Sequence, residues 1–230
     1  MDMDSSAALR RTNETWFREE KGIFCKAYRN YPYTIIPQVL LGLRPRQALN
    51  ALYRCQTEKR KVALLQTAGF PLAQEYLDFV ENEYKPMSIA RYDPDFLNVE
   101  DKIRQGVSRE EALTLVDKCA VHLQELHQVG KSNGEVKFTH GDPYLENMRY
   151  CADGSVRWFD FEHEYDLTGY EAVAMDGAIF VGHAVQILRA CGHIVSKQDR
   201  RDVGDAIRQH YPGLQTDAPQ GKLYLKLRFG

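Results

Sequence analysis

The chain has 230 residues, of which 43% are hydrophobic and 27% charged, so it can bury a full core as one domain or two closely packed lobes. Its five cysteines are scattered, without a CxxC pair or a Cys/His cluster at zinc spacing, which favours a reducing, cytoplasmic compartment. The net charge of −2 without a long basic stripe argues against nucleic acid as the main ligand. The sequence shows no signal-type N-terminus and no long apolar run, so we expect neither a cleaved leader nor a membrane span.

Charge is distributed unevenly along the chain. Residues 1–61 carry 12 Lys/Arg against 6 Asp/Glu, residues 62–176 carry 10 against 22, and residues 177–230 carry 8 against 4. Both ends are therefore basic around an acidic middle. Two interpretations stay open: solvated faces without a partner, or an N-terminal part that faces phosphate groups and an acidic centre that holds metal.

The first predicted elements are a strand, a helix and two further strands. Alternation of apolar and polar residues over 22–30 predicts a strand that carries Lys26. Apolar residues at three- and four-residue spacing predict a helix, or a close pair of helices, over 44–69, with Glu58 within it. Residues 70–94 have the composition of two strands joined by a turn.

The second half of the chain is predicted to be mainly helical. A helix over 108–130 begins with a capping box, Ser108 followed by Glu111, and Gly130 is expected to end it. The remaining predicted elements are two short strands, two helices and a tail that could add an edge strand: 147–160, 170–192, 196–211 and 221–230.

Two acids and an amide are the residues that carry chemistry. The stretch FTHGDPYLENMRY (138–150) places Asp142 five residues before Asn147, and VRWFDFEHEYD (156–166) places Asp160 after the next strand. Phosphoryl transfer needs a positioned hydroxyl and Mg²⁺ ions that neutralise phosphate charge. An Asp on a loop can accept the hydroxyl proton, so we interpret Asp142 as catalytic and Asn147 and Asp160 as metal ligands.

These motifs resemble the catalytic and metal loops of the protein-kinase-like phosphotransferases, in the form used by aminoglycoside and choline kinases and by small lipopolysaccharide core-sugar kinases. There, HGD-x4-N replaces the HRD-x4-N of protein kinases and DFE replaces DFG. The resemblance covers residues 22 to about 190. It implies an α+β, two-lobe kinase-like fold with a reduced N-terminal lobe (1–94), a mainly helical C-terminal lobe (95–230), and ATP and Mg²⁺ as cofactors.

The resemblance also implies roles for residues outside the two loops. Lys26 resembles the strand lysine that holds the α- and β-phosphates, and Glu58 its carboxylate partner, although a surface pair on the helix explains Glu58 as well. Backbone groups of Ala90 and Tyr92, at a strand end, are expected to bind adenine. Asp176 resembles the Asp that opens the following helix and braces the catalytic loop.

Other polar residues have two interpretations each. His140 and His127 are expected to be structural, His140 by hydrogen bonding within the loop. Glu162 could reach a second metal or a substrate group, or be an exposed loop acid. A basic set could meet an anionic lipid or phosphosugar, although a solvated helix face is the favoured interpretation. This set comprises Arg44, Arg46, Arg54, Lys59, Arg60 and Lys61.

The chain departs from the family pattern at the phosphate loop. No G-x-G-x-x-G precedes Lys26, and Gly22 is the one glycine before it. We therefore expect a glycine-poor phosphate loop. The lipopolysaccharide kinases have a similar length and likewise lack a well-formed glycine motif, and no segment resembles the APE motif of protein kinases, so the former are favoured.

The resulting expectation is an ATP-dependent phosphotransferase acting on a hydroxyl of a sugar or other small molecule, with a lipopolysaccharide core sugar such as heptose or Kdo favoured. A glycolipid acceptor implies a cytoplasmic protein in peripheral contact with the inner face of the membrane. An aminoglycoside- or choline-type acceptor is an alternative. The rival from another class is a non-catalytic nucleotide-binding or partner-binding domain.

Overall fold

A computed structural model describes residues 13–18, 21–30, 39, 44–135, 138–167 and 169–209. These residues form a mixed α and β structure with two small antiparallel sheets, in agreement with the expected α+β class. All five cysteines are free thiols. The predicted edge strand over 221–230 and the residues before Asn13, where a phosphate loop would precede Lys26, lie outside the described residues.

The chain divides into two compact units. Within the described residues, the first unit comprises those up to Leu64 together with Gln74–Pro94 and Phe161–Asp166. The second unit comprises Leu65–Ala73, Asp95–Asp160 and the residues from Leu167 onward. One boundary between the units falls after Pro94, where the division between lobes was predicted, and the others interleave the two units along the chain.

The first unit contains a four-stranded antiparallel sheet. Its strands are β1 (Asn13–Arg18), β2 (Ile23–Tyr28), β3 (Tyr76–Val80) and β4 (Met87–Arg91), in the order β1-β2-β4-β3. The predicted strands β2, β3 and β4 are confirmed, whereas β1 was missed. Lys26 lies in the central part of the sheet, opposite Thr15 on one side and Ser88 on the other.

Helix α1 (Ala51–Thr67) follows β2 after a short 3-10 turn at Arg46–Leu49. Its predicted end is confirmed, because Gly69 has a φ of 70° and forms the left-handed residue of a Schellman motif. The N–H of Gly69 donates to Gln66 O and that of Phe70 donates to Leu65 O. The single helix carries Glu58 on the face that reaches the sheet.

Among its described residues, the second unit contains a three-stranded sheet and four helices. The strands are β5 (Leu97–Asn98), β6 (Met148–Tyr150) and β7 (Val156–Trp158), and β6 is central. The helices are α2 (Val99–Arg104), α3 (Arg109–Ser132), α4 (Gly169–Ala190) and α5 (Lys197–Gln209). Helix α4 is apolar enough to cross a membrane by length and composition, but 67% of its apolar stretch is buried inside the protein, as in a core helix.

The prediction that Gly130 ends helix α3 was wrong, although Ser108 caps its start as expected, with its Oγ accepting from Glu111 N at 3.1 Å. The helix continues to Ser132, and Gly134, with a φ of 79°, follows its end. A Cβ on Gly130 would lie 2.2 Å from the Cβ of Phe138. The glycine is therefore required for close packing of the chain that returns towards the HGD motif.

Candidate functional site

Lys26 and Glu58 form a buried ion pair in the first unit. The Lys26 Nζ on β2 lies 2.7 Å from the Glu58 Oε2 on α1, and the side chains are 9% and 1% exposed. The Glu58 carboxylate also accepts from the hydroxyls of Tyr28 and Tyr76. Burial, together with the nearby Glu58 charge, raises the pKa of both tyrosines well above its usual value, so both hydroxyls stay protonated donors. The interpretation of Glu58 as a surface residue was therefore wrong.

Glu162 is the second carboxylate on Lys26. Its Oε2 lies 3.1 Å from the Lys26 Nζ, and its Oε1 accepts from the Arg54 Nη1 at 2.7 Å. Asn13 on β1 donates to the same carboxylate at 2.7 Å. Burial opposes the charge of Glu162, but the neighbouring Lys26 and Arg54 outweigh it and hold its pKa well below the usual value. Glu162 is thus a buried anion, and the alternative of an exposed loop acid was wrong.

Arg54 is the site residue that the sequence interpretation missed. It was placed on a solvated helix face, yet its side chain is 0% exposed and bonds Asn13, the Arg29 carbonyl and Glu162. Lys61 is also buried and donates to the carbonyl of His163. The signal was present in the sequence, because residues 54, 58 and 61 recur at helical spacing and so share one face of α1.

The HGD motif is anchored in the second unit by Asp176. The Asp176 Oδ2 accepts from the His140 N–H at 2.7 Å, and its Oδ1 accepts from the Gly141 N–H at 2.9 Å. The His127 Nε2 donates to Oδ2 at 2.9 Å. Burial opposes ionisation, but these donors dominate and lower the pKa of Asp176. Asp176 lies two turns inside α4 rather than at its start, so that detail of the prediction was wrong, while the contact with the loop is present.

Asp142 and Asn147 face each other across the loop. The Asn147 Nδ2 donates to the backbone carbonyl of Asp142 at 2.8 Å and lies 3.4 Å from its Oδ2. Asp142 is partly exposed, whereas Asn147 is buried. Because the amide nitrogen points to Asp142, the amide oxygen is the atom of Asn147 that can bind a cation.

Asp160 is coupled to the same loop through Phe159. The Phe159 N–H donates to Asn147 O at 3.1 Å, and the Phe159 carbonyl accepts from the His140 Nε2 at 2.8 Å. The other ring nitrogen of His140 accepts from the Asp142 N–H at 3.3 Å. The His140 ring, which is buried against Trp158, therefore ties the backbone before Asp160 to that of Asp142, as the predicted structural role requires.

Asp160 has a strained backbone. Its φ is 66°, and it is the one non-glycine residue with positive φ among those described here by the structure. Such a conformation costs on the order of 1–2 kcal/mol and concentrates at functional sites. Asp160 is half-buried, and its positive φ sets the direction in which its carboxylate leaves the backbone. A role for that carboxylate in the site would explain why the chain tolerates the strain.

Ala90 and Tyr92 lie at the end of β4 in the first unit. Ala90 is buried and pairs with Phe24 on one side and Tyr76 on the other. The Tyr92 N–H donates to Gly22 O at 2.9 Å, so a hydrogen bond to adenine would have to use other backbone groups of this segment. Their adenine role stays a prediction.

The structure thus brings the predicted site residues together as two groups, one within each unit. In the first unit, the Lys26 ammonium group is paired with the carboxylate of Glu58. In the second unit, Asp142 and Asn147 lie next to each other in one loop, and Asp160 follows Phe159, whose backbone is hydrogen-bonded to that loop. No protein-family model matches the chain, and no curated protein matches it in sequence. The chemistry is therefore argued from these residues themselves.

Proposed function

We propose that the chain is an ATP-dependent phosphotransferase with a two-lobe, protein-kinase-like fold. The observation that carries the proposal is the loop in which Asp142 faces Asn147 while Phe159 links that loop to Asp160. Kinases use this combination, an Asp for the acceptor hydroxyl with an Asn and a second Asp for Mg²⁺. The buried ion pair of Lys26 and Glu58 gives independent support, because kinases pair a strand lysine with a helix glutamate.

The donor set fits Mg²⁺. The amide oxygen of Asn147 and the carboxylate of Asp160 are hard oxygen ligands, the kind that Mg²⁺ takes together with substrate phosphates. Bound Mg²⁺ supplies charge neutralisation on the β- and γ-phosphates. The protein contributes the strained backbone of Asp160, which fixes the direction of its carboxylate, and the amide orientation of Asn147.

Asp142 accepts or orients the proton of the acceptor hydroxyl. Its backbone is fixed by the hydrogen bond from its N–H to His140 and by the anchoring of His140 and Gly141 to Asp176. Positioning of this kind accounts for most of the catalysis in phosphoryl transfer. Lys26, held by Glu58, binds the oxygens of the donor phosphates.

For the acceptor, we propose a hydroxyl of a sugar or another small molecule, with a lipopolysaccharide core sugar favoured by the resemblance in length and by the glycine-poor phosphate loop. An aminoglycoside- or choline-type acceptor is the alternative within the class. Incubation with γ-labelled ATP and Mg²⁺ and a panel of these acceptors tests the choice. Label transferred to one acceptor, and lost in Asp142→Ala and Asp160→Ala, supports the proposal, whereas no transfer in the parent chain refutes it.

A second function is favoured by one observation. Lys26 is bound by two carboxylates, Glu58 and Glu162, which compete with phosphate for its ammonium group. This arrangement suits a domain that binds nucleotide without turnover. ATP with Mg²⁺ raises the Tm in both cases, so thermal unfolding tests nucleotide binding alone. Release or transfer of the γ-phosphate separates the two functions, because only the phosphotransferase carries it out.

A further inference from the structure

His183 on α4 contacts the loop that carries Asp142 and Asn147. Its Nδ1 accepts from the Leu145 N–H at 3.2 Å, and its ring lies 4.6 Å from the ring of Tyr144 between centroids. Its Nε2 lies 3.4 Å from the Glu100 Oε2 at the start of α2. The two ring nitrogens therefore face a backbone donor on one side and a carboxylate on the other.

The hydrogen bond to Leu145 replaces a missing helix cap. Residues Leu145–Asn147 form a 3-10 turn whose N-cap residue, Tyr144, supplies no side-chain cap. The first N–H groups of a helical turn have no partner within the turn, and Leu145 is fully buried, so a protein acceptor is required. His183 provides that acceptor from another element.

The turn determines the relative positions of Asp142 and Asn147. The Tyr144 N–H donates to Asp142 O at 2.8 Å, and the Asn147 N–H donates to Tyr144 O at 2.9 Å. Leu145 lies between these two bonds. A shift of the Leu145 N–H would therefore move the backbone of Asp142 and of Asn147.

Glu100 determines which nitrogen of His183 carries the proton. A neutral imidazole has one donor and one acceptor. Since Nδ1 accepts a hydrogen bond from the Leu145 N–H, the proton of the neutral ring lies on Nε2. From there the N–H faces the Glu100 carboxylate, which is a hydrogen-bond acceptor. The other oxygen of Glu100 lies 2.7 Å from the Arg104 Nη2, which holds the carboxylate in place.

We propose that His183 is a positioning residue for phosphoryl transfer, kept in its Nε2–H tautomer by Glu100 so that Nδ1 fixes the turn between Asp142 and Asn147. Its effect on turnover rests on the proposed function. The hydrogen bond and the tautomer stand on the geometry of α2, α4 and the loop.

Three substitutions separate positioning from packing. His183→Phe keeps a ring against Tyr144 but removes the acceptor, whereas His183→Asn loses the ring but places an amide oxygen near the position of Nδ1. Glu100→Ala removes the acceptor that selects the tautomer. His122→Phe is the matched control, because His122 is a buried histidine on another helix, α3, with its ring packed on Phe70.

The first experiment uses the full chain and needs no substrate. In ¹⁵N NMR spectra of the parent chain, we expect the tautomer of His183 with its proton on Nε2. In Glu100→Ala, the population of the tautomer with the proton on Nδ1 should increase. The Leu145 amide should exchange with solvent about tenfold faster or more in His183→Phe, and near the parent rate in His183→Asn and His122→Phe. A proton on Nδ1 in the parent chain, or equal exchange in His183→Phe, overturns the positioning role.

The second experiment measures release or transfer of the γ-phosphate of Mg·ATP. In His183→Phe we expect kcat to fall about 10- to 100-fold, since misplacement by an ångström has effects of that size, with the KM for ATP nearly unchanged. His183→Asn should restore most of the rate, and His122→Phe should not lower it. Equal losses in His183→Phe and His183→Asn overturn the role. Absence of turnover in the parent chain refutes the proposed function and the catalytic part of this inference, while the NMR result independently decides the hydrogen bond.

Discussion

Asp176→Asn is the substitution that most directly tests how the HGD loop is held. The Asp176 carboxylate accepts hydrogen bonds from the His140 and Gly141 amides and from the His127 ring, and it is completely buried. An asparagine has almost the same shape but offers one acceptor oxygen and a donor NH₂ group. At least one of the donors then faces another donor.

The expected loss in the free energy of unfolding is about 2.5–6 kcal/mol. If the asparagine oxygen takes the place of Oδ2, the bonds from His140 and His127 survive and that from Gly141 is lost. A hydrogen bond to a charged group contributes roughly 1.5–3 kcal/mol, and a buried unsatisfied donor costs about 1–3 kcal/mol. The total is a large part of the 5–15 kcal/mol typical of a folded protein.

Urea unfolding at several pH values measures this loss. The pKa of Asp176 is lowered in the folded state, so its contribution is fully present above the pKa of an unfolded Asp, about 3.9, and is lost as the pH falls through the lower folded value. The difference in the free energy of unfolding between the parent chain and Asp176→Asn should therefore be constant near neutral pH and become smaller below about pH 4.

Hydrogen exchange assigns the effect to the loop. The His140 and Gly141 amides should lose protection in Asp176→Asn. Glu75→Gln is the control, because Glu75 forms a solvent-exposed pair with Arg91 and such pairs contribute little. An Asp176→Asn chain that keeps the parent stability within about 1 kcal/mol, with both amides still protected, would refute the reasoning.

Three further substitutions test other parts of the structure by urea unfolding. Arg54→Met removes a buried cation from Glu162 and should cost about 3–5 kcal/mol, the usual result of breaking a buried pair on one side. Gly130→Ala places a Cβ 2.2 Å from that of Phe138 and should cost about 1–3 kcal/mol through overpacking. Burial lowers the pKa of His122 to about 4, against about 6.5 in the unfolded chain. Between these two values the unfolded state binds more protons, so the free energy of unfolding decreases as the pH is lowered from about 6.5 to about 4. His122→Phe should remove that loss, which reaches on the order of 3 kcal/mol at pH 4.

Each of these has its own control. Lys59→Met replaces an exposed cation of the same helix, paired with Glu81, and should have little effect, so equal effects of Lys59→Met and Arg54→Met would contradict the burial argument. Gly204→Ala adds a Cβ with no atom within 4 Å and should stabilise α5 by about 0.5–1 kcal/mol. The Gly130 argument fails if both glycine variants behave alike. For His122, parallel stability curves of variant and parent from pH 7 to pH 4 would be the contrary result.

The elements with strong local signals were predicted from the sequence. Helix α3 was recognised from its capping Ser108 and its apolar periodicity, and the end of α1 from Gly69. Strand β1 was missed because NETWFR has adjacent rather than alternating apolar residues, and it forms through pairing with β2. Gly130 was misread because its role depends on Phe138, eight residues further along the chain, rather than on the helix end.

Contacts within the site were predictable from the sequence where the resemblance to a family motif assigns a role to both contacting groups. The pairing of Lys26 with Glu58 and the contact of Asp176 with the loop were expected, and both are present. The burial of Arg54 and Glu162 was not expected, because a charged residue is exposed by default and only tertiary structure provides the opposite charge that permits burial.

The central claim is that Asp142, Asn147 and Asp160 support phosphoryl transfer, and the rate of γ-phosphate release or transfer from Mg·ATP tests it most directly. The measurement compares the parent chain with Asp142→Asn and with Asp153→Asn, an exposed Asp in the turn between β6 and β7. We expect magnesium-dependent turnover in the parent chain and in Asp153→Asn, and a loss of about 100-fold or more in Asp142→Asn. Equal rates in all three proteins, no faster than ATP alone, would contradict the account.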